Sequence, residues 1–175
     1  MHVSLHQAFK GYTEARPEPD LYSRVLASVD ISAEEFEAEP YHDDAEMERA
    51  VEAAAEILST DRMDFLTGWG LAISQSLLDA YESAIDSDWT LLDLLEHIES
   101  RMHVHSREEF GARPPVLRTN RIGADELRID VETTKNMTGL AKGFVLGFAE
   151  SFGEEVTLDI DERDNGFTFN VKTVG

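Results

Sequence analysis

Three side chains able to donate a lone pair stand within four residues of one another: Met102, His103 and His105. A thioether and two imidazoles are ligands for soft and borderline metal ions, iron among them. A His-x-His pair alone is equally the polar end of a helix. Two weaker groupings occur. His2 and His6, at i and i+4, could chelate a metal weakly but read as exposed residues of a terminus. Tyr41, His42, Asp43 and Asp44 offer mixed donors, which aspartates capping a helix entrance explain more simply. No nucleophile is paired with a base, and no Gly-rich phosphate loop or HExxH motif occurs. The chain therefore reads as a non-enzyme. Without cysteine it has neither disulfides nor thiolate ligation, so a bound metal depends on histidine, methionine or tyrosine.

The element that must position these donors is a helix starting near Trp89. Leu91, Leu95, Ile98 and Met102 advance by four, three and four, which makes one apolar side, and a further three reaches His105. Glu96, Glu99 and His103 fall on the adjoining polar side. Because neighbouring helical residues differ by about 100° around the axis, Met102 and His103 cannot both face the same way. The helix should end near His105, ahead of Pro114 and Pro115.

Around it the sequence predicts an α+β order. Leu5, Ala8, Phe9 and Tyr12 mark a first helix interrupted by Pro17 and Pro19. A second runs from Leu21 to about Val29, and Ser32 with Glu35 reads as a capping box. A third begins at Asp43 or Asp44, and a fourth, capped by Thr60 or Asp61, carries Phe65, Leu66, Trp69, Ile73 and Leu77 on one face. After the prolines come strands VLR and ELRIDVET, then a helix from Met137 to Phe152 closed by Gly153. The last segment, VTLDIDERDNGFTFNVKTV, is a hairpin with Asn165-Gly166 in a tight primed turn.

Length and charge narrow the class. At 175 residues the chain is sized for one domain. Its net charge of −21, from 36 acidic and 15 basic residues, repels nucleic acid and anionic membranes. Such acidity suits a salt-adapted, halophilic protein whose repulsion is screened at high ionic strength. With 42% hydrophobic residues, disorder is not expected. No apolar run reaches the roughly 20 residues of a membrane span, and the start lacks a signal-peptide pattern, so a cytoplasmic location is expected.

The helix of residues 89–105, the ARPPVLR stretch, IDVETTK, MTGLAKGFVLGFAESFGEEV and the upstream EPYHDDAEMERAVEAAAEIL together resemble the H-NOX (haem nitric oxide/oxygen binding, HNOB) family. This family is related to the haem domain of soluble guanylate cyclase. The resemblance spans the whole chain, in the pattern of a halophilic archaeal member, with the length of a family domain lacking an output module. It implies a single domain over 1–175, with a helical subdomain over 1–60 and pocket-forming helices and sheet over 61–175. The helical N-terminal half would pack on a C-terminal half with an antiparallel sheet and a long helix, holding haem b between them.

What the resemblance implies residue by residue is mixed. The family's proximal histidine falls, without gaps, on Met102, with His103 beside it. Three readings stand: a one-residue bulge turns His103 inward, Met102 or His105 ligates, or no residue ligates. Pro115 matches the proline that distorts the macrocycle. The propionate-contact motif falls on Val131, Thr133 and Lys135, a weaker grip than tyrosine, serine and the planar fork of arginine. Oxygen-binding members carry a distal tyrosine where this chain has Leu140. Leu5, Ile73 and Phe144 complete an apolar pocket that favours nitric oxide over oxygen. The implied role is a gas sensor signalling to a histidine kinase, diguanylate cyclase or chemotaxis receptor. The alternative is a haem-free protein-interaction or small-ligand module on the same fold.

Overall fold

Side chains cap most helix entrances in the first half of the chain, the one at Leu21 excepted. The computed structural model describes residues 2–33 and 43–175; the capping box with Glu35 and the donors Tyr41 and His42 lie outside them. Helix α1 spans Val3–Glu14. His2, expected to be exposed, caps it: its Nδ1 accepts the Ser4 amide at 3.2 Å. His6, also expected at the surface, is only 1% exposed, because its position one turn before Phe9 and Lys10 lies on the inward face of α1. Helix α2 covers Leu21–Ser28. Helix α3, Asp44–Leu58, starts on Asp43, whose carboxylate accepts the Ala45 amide at 3.1 Å, and buries Met47, Ala50, Val51 and Ala54 at helical spacing. Helix α4, Arg62–Ala80, starts likewise on Asp61, which accepts the Met63 amide at 2.7 Å.

The second half alternates helix and strand. A capping box of Thr90 and Asp93 opens α5, Leu91–His97. A π-helical turn, Ile98–His103, continues it, and α6, Val104–Phe110, ends at Gly111 with φ 60°. The helix thus passes the end expected near His105, because the first residue free to close it in the left-handed region is Gly111. Strands β1 (Val116–Arg121) and β2 (Glu126–Glu132) follow, then α7 (Thr138–Phe152), β3 (Glu155–Arg163) and β4 (Gly166–Val174). All strand pairs are antiparallel, in the order β1-β2-β4-β3. The fold is α+β.

One hairpin expectation needs correction. The turn between β3 and β4 is centred on Asp164 and Asn165, since Arg163 pairs with Gly166. Asn165 is not in the left-handed region; Gly166 is the residue with positive φ, 136°. A Cβ at Gly166 would lie 1.9 Å from the Val131 carbonyl oxygen, so the close approach to β2 dictates the glycine.

The described chain forms two compact units, 1–73 with 137–143 and 74–136 with 144–175. In the first, Phe9 meets Phe65 and Trp69 edge-on, at ring separations of 6.2 and 5.4 Å. In the second, Leu127, Ile129 and Val131 of β2 pair with Val171, Phe169 and Phe167 of β4. All six are buried, making one apolar face of the sheet.

Candidate functional site

The helix of residues 91–110 carries the site, and the π turn fixes which way its donors point. The Val104 amide donates to the Glu99 carbonyl, five residues back, instead of four. That inserts one extra residue into the helical frame and rotates everything after it. Up to the turn the apolar stripe holds: Leu91, Leu95 and Met102 are buried and Ile98 is half-buried. Beyond it the stripe no longer reaches His105, which is exposed and meets Tyr81 edge-on at 5.9 Å. Tyr81 also hydrogen-bonds Ser106.

The turn places His103 over Glu99. The ring Nδ1 lies 3.1 Å from Glu99 Oε2. Burial pushes this imidazole below its ordinary value, the Glu99 carboxylate pulling against it and Arg107 adding to it. Glu99 itself collects three donors. Arg107 Nη1 donates to its Oε1 at 2.7 Å, and the Leu117 amide of β1 donates to Oε2 at 3.0 Å, beside His103. Burial raises the Glu99 pKa, but these three donors outweigh it and hold the carboxyl below the usual range.

Other polar contacts fasten the same helix to β1. Arg121 bridges to Asp93 and, at 3.1 Å, to Glu96, while the Thr119 hydroxyl reaches the Glu96 carbonyl at 3.5 Å. Pro115, half-buried, lies just before β1. Sequence reasoning puts Glu99 on a polar side and gives it no task. The i, i+4, i+8 spacing of Glu99, His103 and Arg107 is the signal that could have found the cluster.

The anchoring positions are differently occupied. Val131 is 3% exposed, within the buried row of β2. The Thr133 hydroxyl accepts the Lys135 amide at 3.0 Å, and Lys135 Nζ donates to the Arg113 carbonyl at 3.2 Å. An open cavity of about 800 Å³ adjoins Val131 and Thr133, lined also by Arg118, Asp130, Glu132 and Arg163. Arg118 is paired with Glu132, and Arg163 with Asp130 at 2.9 Å. Of the expected apolar wall, Leu140 is 5% exposed, while Leu5, Ile73 and Phe144 are half-buried. Phe144 stacks on Phe148 at 6.1 Å. His6 and Ser74, at 1% and 3% exposure, are buried polar groups next in sequence to Leu5 and Ile73 that sequence reasoning does not place in the interior.

A bound haem asks for one free lone pair toward iron and for donors toward its carboxylates. With Nδ1 donating to the Glu99 carboxylate, a neutral His103 ring keeps one lone pair, on Nε2, the arrangement of a histidine backed by a carboxylate. The buried donor on the helix is the Met102 thioether, a competent though weak iron ligand. The donors on this helix are thus the His103 imidazole and the buried Met102 thioether, with Thr133 and Lys135 at the positions where the resemblance expects contacts to the carboxylates. Among the described residues no three His, Asp or Glu side chains gather as around a metal ion. Nor is any helix among them long and apolar enough to cross a membrane.

Comparison with known proteins identifies the family and the fold. The Haem-NO-binding family model matches residues 4–160. The unliganded Fe(II) H-NOX protein from K. algicida superposes with a TM-score of 0.88 at 14% identity, covering 100% of this chain and 97% of that one. The S. oneidensis H-NOX protein in its Fe(II)NO state gives 0.85 at 12% identity, with full coverage of both chains. A single-residue variant of T. tengcongensis H-NOX gives 0.82 at 17% identity, covering 100% and 98%. No curated protein matches the sequence.

Proposed function

The chain belongs to the Haem-NO-binding (H-NOX) family of haem-based gas sensors, and from that premise we propose that it senses nitric oxide and signals to a separate protein. The observation that carries the choice of gas is Leu140. It is buried and apolar at the position where oxygen-binding members present a tyrosine hydroxyl. Leu5, Ile73 and Phe144 likewise offer no hydrogen bond, and bound dioxygen needs one far more than nitric oxide does. Haem, when bound, supplies the iron that takes up the gas. The protein's part is to exclude polar partners from that gas and to read out the change.

The readout rests on the helix of residues 91–110. A shift at Met102 has a rigid route outward, because Glu99, Glu96 and Asp93 tie the same helix to Leu117, Thr119 and Arg121 of β1. Two arrangements of this helix with different gas affinities suffice for signalling. By family resemblance the receiver is a histidine kinase, diguanylate cyclase or chemotaxis receptor, and the event is cytoplasmic. The test is a visible spectrum of the protein reconstituted with hemin in molar salt, under reducing conditions. A saturable Soret band that shifts with nitric oxide, with no oxygen complex stable in air, supports the reading. A stable oxygen complex would point to donors such as His6 or Ser74 and overturn the preference.

A second reading, a haem-free interaction or small-ligand module, is favoured by the engagement of Thr133 and Lys135 with protein groups. A folded sample that takes up no haem decides for it.

A further inference from the structure

We propose that the open edge of β3 is where the separate protein docks, adding to the sheet an extended segment that alternates apolar and basic residues. The inference deepens the sensor reading by naming how the receiver is held, and rests on it. The two edges of the sheet, β1 and β3, are finished differently. β1 lies against the helix of residues 91–110, its Leu117 amide donating to Glu99 and its Thr119 hydroxyl to the Glu96 carbonyl. β3 has β4 on one side and, among the described residues, no strand on the other. Two bonds at the ends of β4 show which groups of β3 are left over. The Thr133 amide donates to the Asn165 carbonyl at 3.2 Å and the Thr173 amide to the Asp125 carbonyl at 2.9 Å. The odd-numbered residues of β4 thus turn their backbone groups toward β2 and the even-numbered ones toward β3. Their partners on β3 are its odd-numbered residues. The N–H and C=O groups of Val156, Leu158, Ile160 and Glu162 therefore point out of the sheet's edge, a template for one more strand.

Side chains on that edge define the strand that fits it. Ile160 and Leu158 stand opposite Phe169 and Val171 and, with Val156, are half-buried, so the apolar face of the sheet reaches its rim. On the other face Glu155, Asp159 and Asp161 are exposed and have no ion-pair partner among the described residues. The bases of that face are taken, Arg163 by Asp130 and Lys172 by Asp125. A strand laid beside β3 sets side chains directly opposite, where unlike charges stabilise and like charges repel. Lysine or arginine on one face and aliphatic residues on the other satisfy both faces at once. A second copy would satisfy the apolar face but set carboxylate against carboxylate, on chains of net charge −21. Edge charges commonly guard a strand against pairing. Here β3 runs nine residues without proline or bulge, and its inward charge, Glu162, stands at the turn end. The guard is therefore against acidic strands alone.

The experiment titrates the full chain, at the lowest salt that keeps it folded, with three short synthetic peptides. One alternates lysine and valine, one alternates glutamate and valine, and one holds the lysines and valines of the first in two separate blocks. Backbone amide exchange is read residue by residue. The alternating lysine peptide should slow exchange of the Val156, Leu158, Ile160 and Glu162 amides at least tenfold, leaving those of Asp159 and Asp161, already bonded to β4, unchanged. The double variant Asp159→Lys with Asp161→Lys should bind that peptide at least tenfold more weakly and take up the glutamate peptide instead. Equal binding of the block peptide, binding without protection of the even-numbered amides, or no binding by the folded chain overturns the proposal. Protection that rises with protein concentration alone overturns it in favour of a second copy. Haem takes no part in this titration. Edge protection in a chain that takes up no haem keeps the docking edge while the sensor reading fails, and haem uptake without edge protection does the reverse.

Discussion

Two helix junctions in this molecule are built on opposite principles. In the first unit, α4 and α7 meet backbone to backbone. A Cβ placed on Gly143 would lie 2.2 Å from the Thr67 carbonyl oxygen and 2.8 Å from the Gly70 Cα, and one on Gly70 would lie 2.3 Å from the Leu140 carbonyl oxygen. In the second unit, the helix of residues 91–110 is fastened to β1 by side chains, chiefly the Glu99 carboxylate with its three donors. The glycine junction has no titratable group and almost no freedom to rearrange. The carboxylate junction can be loosened by a proton or a substitution. A sensor needs one part that stays fixed and one that can change, and the helix bearing Met102 lies in the second kind.

The largest expected effect tests the fixed junction. Gly143→Ala forces a methyl against two backbones, neither of which can swing away as a side chain would. Overpacking of this severity costs about 3 kcal/mol, or roughly 10 °C in melting temperature for a chain of this size. Gly11 in α1 is the internal control, with nothing within 4 Å of its Cβ position. Gly11→Ala should instead raise stability by up to about 1 kcal/mol through helix propensity. Thermal melts of the two variants showing equal effects would mean that the close crossing is not rigid.

The two junctions differ in how far the sequence makes them legible. Periodicity places the helices well because their buried residues recur at three and four: Met47, Ala50, Val51 and Ala54 in α3, or Leu91 and Leu95 in α5. Capping chemistry places their starts at Asp43 and Asp61. The π turn is not readable, because a single inserted residue leaves composition and apolar spacing almost unchanged while rotating His105 out to solvent. The glycine crossing leaves a trace in the four-residue spacing of Gly139 and Gly143, but such spacing shows a smooth helix face and not what lies against it. His6 escapes for a related reason. Proximity to a terminus predicts exposure, whereas burial is set by neighbours distant in sequence.

The carboxylate junction should break with a smaller penalty. Glu99→Ala removes the acceptor of His103, Arg107 and the Leu117 amide together, leaving a buried ring and a strand-edge amide unsatisfied. About 2 kcal/mol is expected, measured by chemical denaturation. Glu99→Gln, which can still accept from the Leu117 amide, should lose less. Equal stability of the alanine variant and the parent would show that water replaces the cluster without cost, and the contrast between the junctions would disappear.

The smallest effect is the dependence on pH, and its sign follows from the two groups of the clasp. His103 is held below its ordinary value, chiefly by burial, so the unfolded chain takes up a proton first as pH falls below about 6.5. Stability should therefore decline on acidification from that point down to the folded value of His103. Glu99, also held low by Arg107, Leu117 and His103 against the effect of burial, contributes stability present above its unfolded value of 4.5. That part is lost as pH falls further, through its folded value. Both terms run the same way, in successive windows, and neither has a counterpart at the Gly70–Gly143 crossing. In His103→Gln the upper window should flatten while the lower one remains, as read from denaturation midpoints between about pH 7 and pH 3. If the parent instead gains stability on acidification through the upper window, the protonated ring is the better partner for Glu99 in the fold, and acid would tighten the clasp.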